Sequence, residues 1–278
     1  MEIAAQLLIY TSILGFILGF VVTKTNFCTM GAVSDWVNIG DLSRFKAWML
    51  AAAVAILGVT ILDFMSFFDI NDSRIPYRNS VLAWPRYMLG GLMFGVGMTY
   101  ASGCGNKVLI RVGGGNLKSL IVLFVAGLMA YIMTRTDFYG IVFHSWMNPI
   151  SLDLAKIGIL DQSLPTIVSS VFSITNSVYF NFTIGLTVSL TMIFLIFKSG
   201  KFIENFDNVL SGIVVGSIVV FAWLLTGGST GAEWIEANDF LDDPAPGVGV
   251  QSFTFINPMA ETLIYFGNSA DSFYLTFG

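Results

Sequence analysis

Cys28 and Cys104 are the only two cysteines in the chain, and each ends the same pattern of residues. Thr23, Gly19 and Gly15 lie five, nine and thirteen residues before Cys28, and Thr99, Gly95 and Gly91 stand at the same offsets before Cys104. The register G-x3-G-x3-T-x4-C therefore occurs twice, and a repeated register is the first thing to weigh in a sequence. A thiol is a weak hydrogen-bond donor and a soft, polarizable contact. A single buried cysteine usually packs as an inert small hydrophobe; two at one offset favour shared chemistry. Without a third cysteine a disulfide framework is excluded, although one Cys28–Cys104 bridge stays open.

The loops around the cysteines carry the remaining candidates. The first reads Asn26-Phe27-Cys28-Thr29-Met30-Gly31-Ala32-Val33-Ser34-Asp35-Trp36. The second runs from Ser102-Gly103-Cys104-Gly105-Asn106-Lys107 to Arg111 and ends in Gly113-Gly114-Gly115-Asn116. Amides, cations and thiols together suit an anion, so Asn26, Thr29, Asn106, Lys107 and Arg111 are candidate contacts beside the two sulfurs, with Lys107 and Arg111 equally readable as topology determinants. A short helix beginning near Cys28 or Asn116 would aim N–H groups and a positive dipole end at that anion. Simpler readings cover much of the rest. Lys24, Arg44, Lys46 and Lys198 read as topology determinants. Asp35 reads as a cap or a solvated charge, and the G-x3-G pairs as helix-packing faces. Trp36 is an interface anchor or the wall of a cavity.

Other chemistries lack residues. His144 is the only histidine and lies in an outer connection, so a Cys–His dyad is not expected. Two cysteines, one histidine and no dense carboxylate cluster give no metal set. The run Gly113–Gly115 is no Walker motif. No polybasic run with interleaved aromatics suggests nucleic acid. No cofactor is expected.

These residues need a membrane scaffold to hold them. Hydrophobic residues make up 55% of the chain and charged ones 11%, with a mean hydropathy of +0.77. Apolar stretches near 4–23, 46–66, 86–103, 117–134, 180–197 and 208–227 are predicted to cross a hydrocarbon core of about 30 Å, which takes roughly 20 residues. The first has no basic n-region and no cleavage site, and reads as a retained helix. Segments 28–38 and 105–116 are too short to span and read as re-entrant or interfacial. Residues 138–178 form a connection with amphipathic pieces, and 228–258, rich in Gly, Pro and acids, read as a loop. With the Lys198/Lys201 turn in the cytoplasm, the inside holds Lys24, Arg44, Lys46, Lys107, Arg111, Lys118, Lys198 and Lys201, eight of thirteen cations. Of the eighteen acids only Asp35, Asp41, Glu204 and Asp207 accompany them. That bias puts the N-terminus outside and both cysteine loops at the cytoplasmic side. The expected fold is all-α: a polytopic transmembrane helical bundle in one domain over 1–278, with repeat units near 10–66 and 86–134 and short helices after the cysteine motifs.

The motifs NFCTMGAVSDW (26–36) and SGCGNKVLIRVGGGNLKSL (102–120) resemble the cysteine signatures of the YeeE/YedE sulfur-transport family. SFTFINPMAETL (252–263) resembles the segment before that family's last helices. The resemblance implies a multi-pass protein of the bacterial inner membrane that takes up thiosulfate or a related sulfur anion and is not an enzyme. It maps the family's functional cysteines onto Cys28 and Cys104. It implies that the anion passes between thiols through S–H···S contacts without lasting covalent attachment. A cytoplasmic sulfur-carrier or sulfurtransferase protein is the implied partner. Typical members carry a further cysteine motif beyond the position of Gly278, so the resemblance also implies a C-terminal truncation or the loss of that unit. Two other readings compete: a thiol-redox protein cycling a Cys28–Cys104 disulfide, and a scaffold subunit whose cysteine loops are packed without a cavity.

Overall fold

A computed structural model describes residues 2–73, 78–198, 200–240 and 248–267. In chain order the helices are α1 (Glu2–Thr25), α2 (Thr29–Ile39), α3 (Ser43–Phe64), α4 (Trp84–Tyr100), α5 (Gly105–Gly113), α6 (Leu117–Arg135), α7 (Ser145–Met147), α8 (Leu164–Phe172), α9 (Val178–Phe197), α10 (Gly200–Ile203), α11 (Phe206–Gly227), α12 (Ser229–Asp239) and α13 (Asn257–Gly267). Among the described residues, five helices are long and apolar enough to cross a membrane: α1 with its continuation into α2, then α3, α6, α9 and α11. The sixth expected span is α4, which at 17 residues falls short of the others. Large apolar side chains such as Phe16 and Phe20 on α1 face outward, 77% and 61% exposed, as lipid contact requires.

The contacts divide the chain into two compact units. Among the described residues one holds 2–73, 78–80, 154–198, 200–239 and 249–252. Its spine is the seam between α3 and α11, with α9 on α3 and α1 on α11. Small residues allow the approach: a Cβ at Gly212 would lie 2.9 Å from the Ala47 carbonyl oxygen, and one at Gly216 2.6 Å from that of Ala51. In lipid, where burial of apolar surface gives little drive, such backbone contact carries the association. At the end of the seam Ala47, Leu50, Ile196 and Phe202 form a buried cluster, against which Phe27 packs.

Among the described residues the other unit holds 81–153, 240, 248 and 253–267. Here α6 packs against α13 and α5. Gly127 admits α13, since a Cβ there would meet Met259 at 3.1 Å, and Arg135 closes the pair with a 2.6 Å ion pair to Glu261. Val81–Leu82 and Leu152–Asp153 pair as a two-residue antiparallel ladder, and the Trp84 indole donates to the Ile150 carbonyl.

Two expectations change. The region 228–258 is not all loop: Ser229–Asp239 is helical, because α12 turns back onto α11 and α1; residues 241–247 lie outside the described residues. The G-x3-G pairs of the repeat do not form packing faces among the described residues, since a Cβ at Gly15, Gly19, Gly91 or Gly95 would meet nothing within 4 Å. Close packing falls instead on Gly212 and Gly216, along with Gly58 and Gly185.

Candidate functional site

Each cysteine stands at a sharp exit from a long helix. At the end of α1 the Phe27 amide donates to the Val22 carbonyl, and Asn26 takes a left-handed conformation at φ 53°. At the end of α4 the Gly103 amide donates to the Met98 carbonyl, and Ser102 is left-handed at φ 56°. This five-residue closure with a left-handed residue is a Schellman-type helix stop. Glycine normally fills that position because a Cβ costs roughly 1–2 kcal/mol there. Both chains then run extended through the cysteine and start a new helix. Cys28 (φ −158°, ψ 130°) precedes α2 and Cys104 (φ −71°, ψ 169°) precedes α5; in each case the cysteine carbonyl accepts the first helical bond.

Neither cysteine side chain caps the helix it begins. The contrast with four other helix starts is chemical; α3 and α4, which open after Leu42 and Ala83, also lack a side-chain cap. Asn116, Ser163, Ser177 and Asn205 each accept from a backbone N–H of the helix they open. A hydroxyl or amide at an N-cap is worth about 1 kcal/mol. At residues 28 and 104 a sulfur stands in its place. The Gly113–Gly115 run spends its amides on closing α5: those of Gly114, Gly115 and Asn116 go to Ile110, Val112 and Arg111. It therefore offers no anion cradle, and Asn116, capping α6, offers no uncapped helix start.

In the first unit Asn26 is exposed, Cys28 is buried with 9% of its surface exposed, and Thr29 is half-buried as the first residue of α2. Phe27, seated on the core cluster, fixes the turn. Arg44, expected only to set topology, reaches this turn from α3. Its Nη1 lies 2.9 Å from where a Gly31 Cβ would stand, and the Cys28 Cβ lies 3.7 Å from the same point. Its Nε pairs with Asp35 at 3.3 Å, so Asp35 is an ion-pair partner and not simply a solvated charge. Trp36 meets Phe45 in a tilted ring contact with centroids 5.2 Å apart and is 48% exposed, as an interface anchor would be.

In the second unit Asn106 and Lys107 lie in the first turn of α5 and Arg111 in its last, all half-buried like Cys104. Cys104, Lys107 and Arg111 share one helical face by their spacing. The Lys107 stem lies over Gly103, where a Cβ would meet its Cβ at 2.9 Å. A Cβ at Gly105 would meet Ile256 at 2.9 Å and Phe255 at 3.4 Å, so the segment before α13 walls the turn beside the thiol. That wall and Arg44 were missed in the sequence. The available signal was Gly31, standing three residues after Cys28 where Lys107 stands after Cys104.

Both cysteines are thiols. Among the described residues no three His, Cys, Asp or Glu side chains converge as metal ligands. The first unit also holds a cavity of about 340 Å³ lined by Thr60, Asp63, Arg78 and Asn181, at the opposite end of α3 from Arg44.

A family model described as Sulphur transport matches residues 24–278. The chain belongs to that family. Similar proteins include the thiosulfate transporter TsuA of Escherichia coli K12, 31% identical over 129 residues, which are 46% of this chain and 35% of that protein. The thiosulfate transporter TsuA of Spirochaeta thermophila is 27% identical over 125 residues, 45% of this chain and 36% of its own length. The matched stretches thus span little more than a third of either relative. Membership, with the membrane-crossing helices, makes the chain a multi-pass protein of the bacterial inner membrane in a transport family and not an enzyme family.

Proposed function

We propose that the chain forms a membrane permease for thiosulfate or a related inorganic sulfur anion, with Cys28 and Cys104 as successive sulfur contacts on the way to the cytoplasm. One observation carries this reading: both thiols occupy the same local structure, a left-handed helix stop followed by an extended cysteine that opens a short helix without capping it. That recurrence also supports two repeat units, near 10–66 and 86–134, in one membrane domain.

The chemistry suits an ion with a sulfur at one end and oxygens at the other. A thiol donates S–H toward the outer sulfur. Amides at the start of α2 and α5, and the cations Lys107 and Arg111, address the oxygens. Asn26, Thr29 and Asn106 supply polar contacts beside them. The thiols act neutral, because a thiolate would repel a dianion strongly at low dielectric. No covalent bond forms; weak, serial sites let the ion leave as readily as it enters. A cytoplasmic sulfur carrier or sulfurtransferase is the natural recipient.

Growth of a sulfur-auxotrophic host on thiosulfate as sole sulfur source tests the reading. The wild-type chain supports growth, while Cys28→Ala and Cys104→Ala abolish it at unchanged membrane abundance. If both variants grow like the wild type, the thiols are not on the route.

A further inference from the structure

The two cysteine helices share a face and differ in what it carries. In α5 the positions three and seven after the cysteine are Lys107 and Arg111, both cations. In α2 the same offsets give Gly31 and Asp35, one without a side chain and one negative. An anion that meets equivalent thiols would find a cation at the second and none from the helix at the first.

The geometry points to Arg44 as the missing cation: it is a substrate-binding residue of the Cys28 site, delivered from α3 into the slot that Gly31 leaves open and aimed by Asp35. Three observations fit together. The guanidinium Nη1 and the Cys28 Cβ flank one point, 2.9 and 3.7 Å from the place of a Gly31 Cβ. The only side chain that could fill this point is absent, because residue 31 is glycine within a regular helix and not in a turn that demands one. Asp35, one turn further along the same face, holds Nε at 3.3 Å, while Nη1 is the guanidinium atom that lies against the open place at Gly31. A planar guanidinium anchored on one edge is a preorganised donor for an oxyanion.

The ligand is the oxygen end of the transported sulfur anion, so this inference rests on the proposed function. Uptake of radiolabelled thiosulfate into vesicles containing the full chain separates the two. If the wild type takes up no thiosulfate, or Cys28→Ala takes it up normally, the functional reading fails first. If uptake is present and depends on Cys28, Arg44 is judged by KM. Arg44→Gln should raise KM roughly tenfold, the loss of one charge-assisted hydrogen bond, with a smaller change in maximal rate. Arg44→Lys, which keeps the charge, should recover part of that loss. Gly31→Ala decides the matter if Arg44→Gln accumulates poorly. It removes no charge and leaves Asp35 in place, yet its methyl displaces the flexible end of Arg44 and should raise KM in the same direction. An unchanged KM in Gly31→Ala, or in well-accumulated Arg44→Gln, overturns the assignment.

Discussion

Asn26 and Ser102 each hold a left-handed backbone two residues before a cysteine, and neither is glycine. Asn tolerates that region through its short polar side chain, whereas Ser has less compensation. Ser102→Gly should therefore raise the thermal unfolding midpoint slightly, by up to about 1 kcal/mol of relieved strain. Ser102→Val should lower it by about 1–2 kcal/mol or redirect the chain at Cys104. Unfolding scans on the purified protein compare the two; equal midpoints would mean that the turn relaxes without cost. Phe202 offers a different kind of anchor. It is buried to 1% in the cluster that seats Phe27, and Phe202→Ala should cost about 3 kcal/mol and loosen the Cys28 turn.

At the scale of elements, the glycines divide into those that touch and those that do not. Gly216→Ala drives a methyl into the Ala51 carbonyl and Val54 and should reduce membrane abundance and melting temperature sharply. Gly91→Ala meets nothing and should be neutral, or stabilising by up to about 1 kcal/mol through helix propensity. A similar loss at both positions would refute the α3–α11 seam as the spine of its unit. The spans were legible because lipid imposes long apolar runs, and the predicted 117–134 and 180–197 differ from α6 and α9 by only a residue or two. What escaped was structure without such runs. α12 carries Glu, Asn and Asp yet folds because Gly231 and Asn238 are buried in its packing. α13 begins at Asn257-Pro258, a helix-start signal in a stretch that shows no long apolar run.

The turn before α8 adds a pH dependence. Burial raises the Asp161 pKa, but hydrogen bonds from the Ser163 hydroxyl and amide and from Thr166, with Arg78 nearby, outweigh it and hold the carboxyl below its ordinary value. A depressed carboxylate stabilises the fold above its unfolded pKa of about 4, and that contribution disappears as pH falls through the folded value. Asp161→Asn should leave the melting temperature less sensitive to acid as pH falls below about 4. A variant as acid-labile as the wild type would place that lability elsewhere.

At the scale of the whole molecule, a doubled motif lets one copy be rebuilt from the other. The cysteines were legible because identical spacing is visible in one dimension. Arg44 was not, because a side chain borrowed from a neighbouring helix leaves no spacing to read. If the copies are equivalent, Gly31→Lys should restore a low KM to Arg44→Gln by supplying the cation from α2 itself, as Lys107 does from α5. Uptake kinetics of the double variant against Arg44→Gln alone test this, and no recovery would mean that the two copies handle the ion differently. The shelter of the two sulfurs also differs. Cys28 follows a phenylalanine packed on a buried cluster and is itself buried, while half-buried Cys104 precedes a glycine that lies against Phe255 and Ile256 from a segment far along the chain. A membrane-permeant maleimide should therefore tag residue 104 first, and trimming those two side chains to alanine should hasten that tagging without unmasking residue 28.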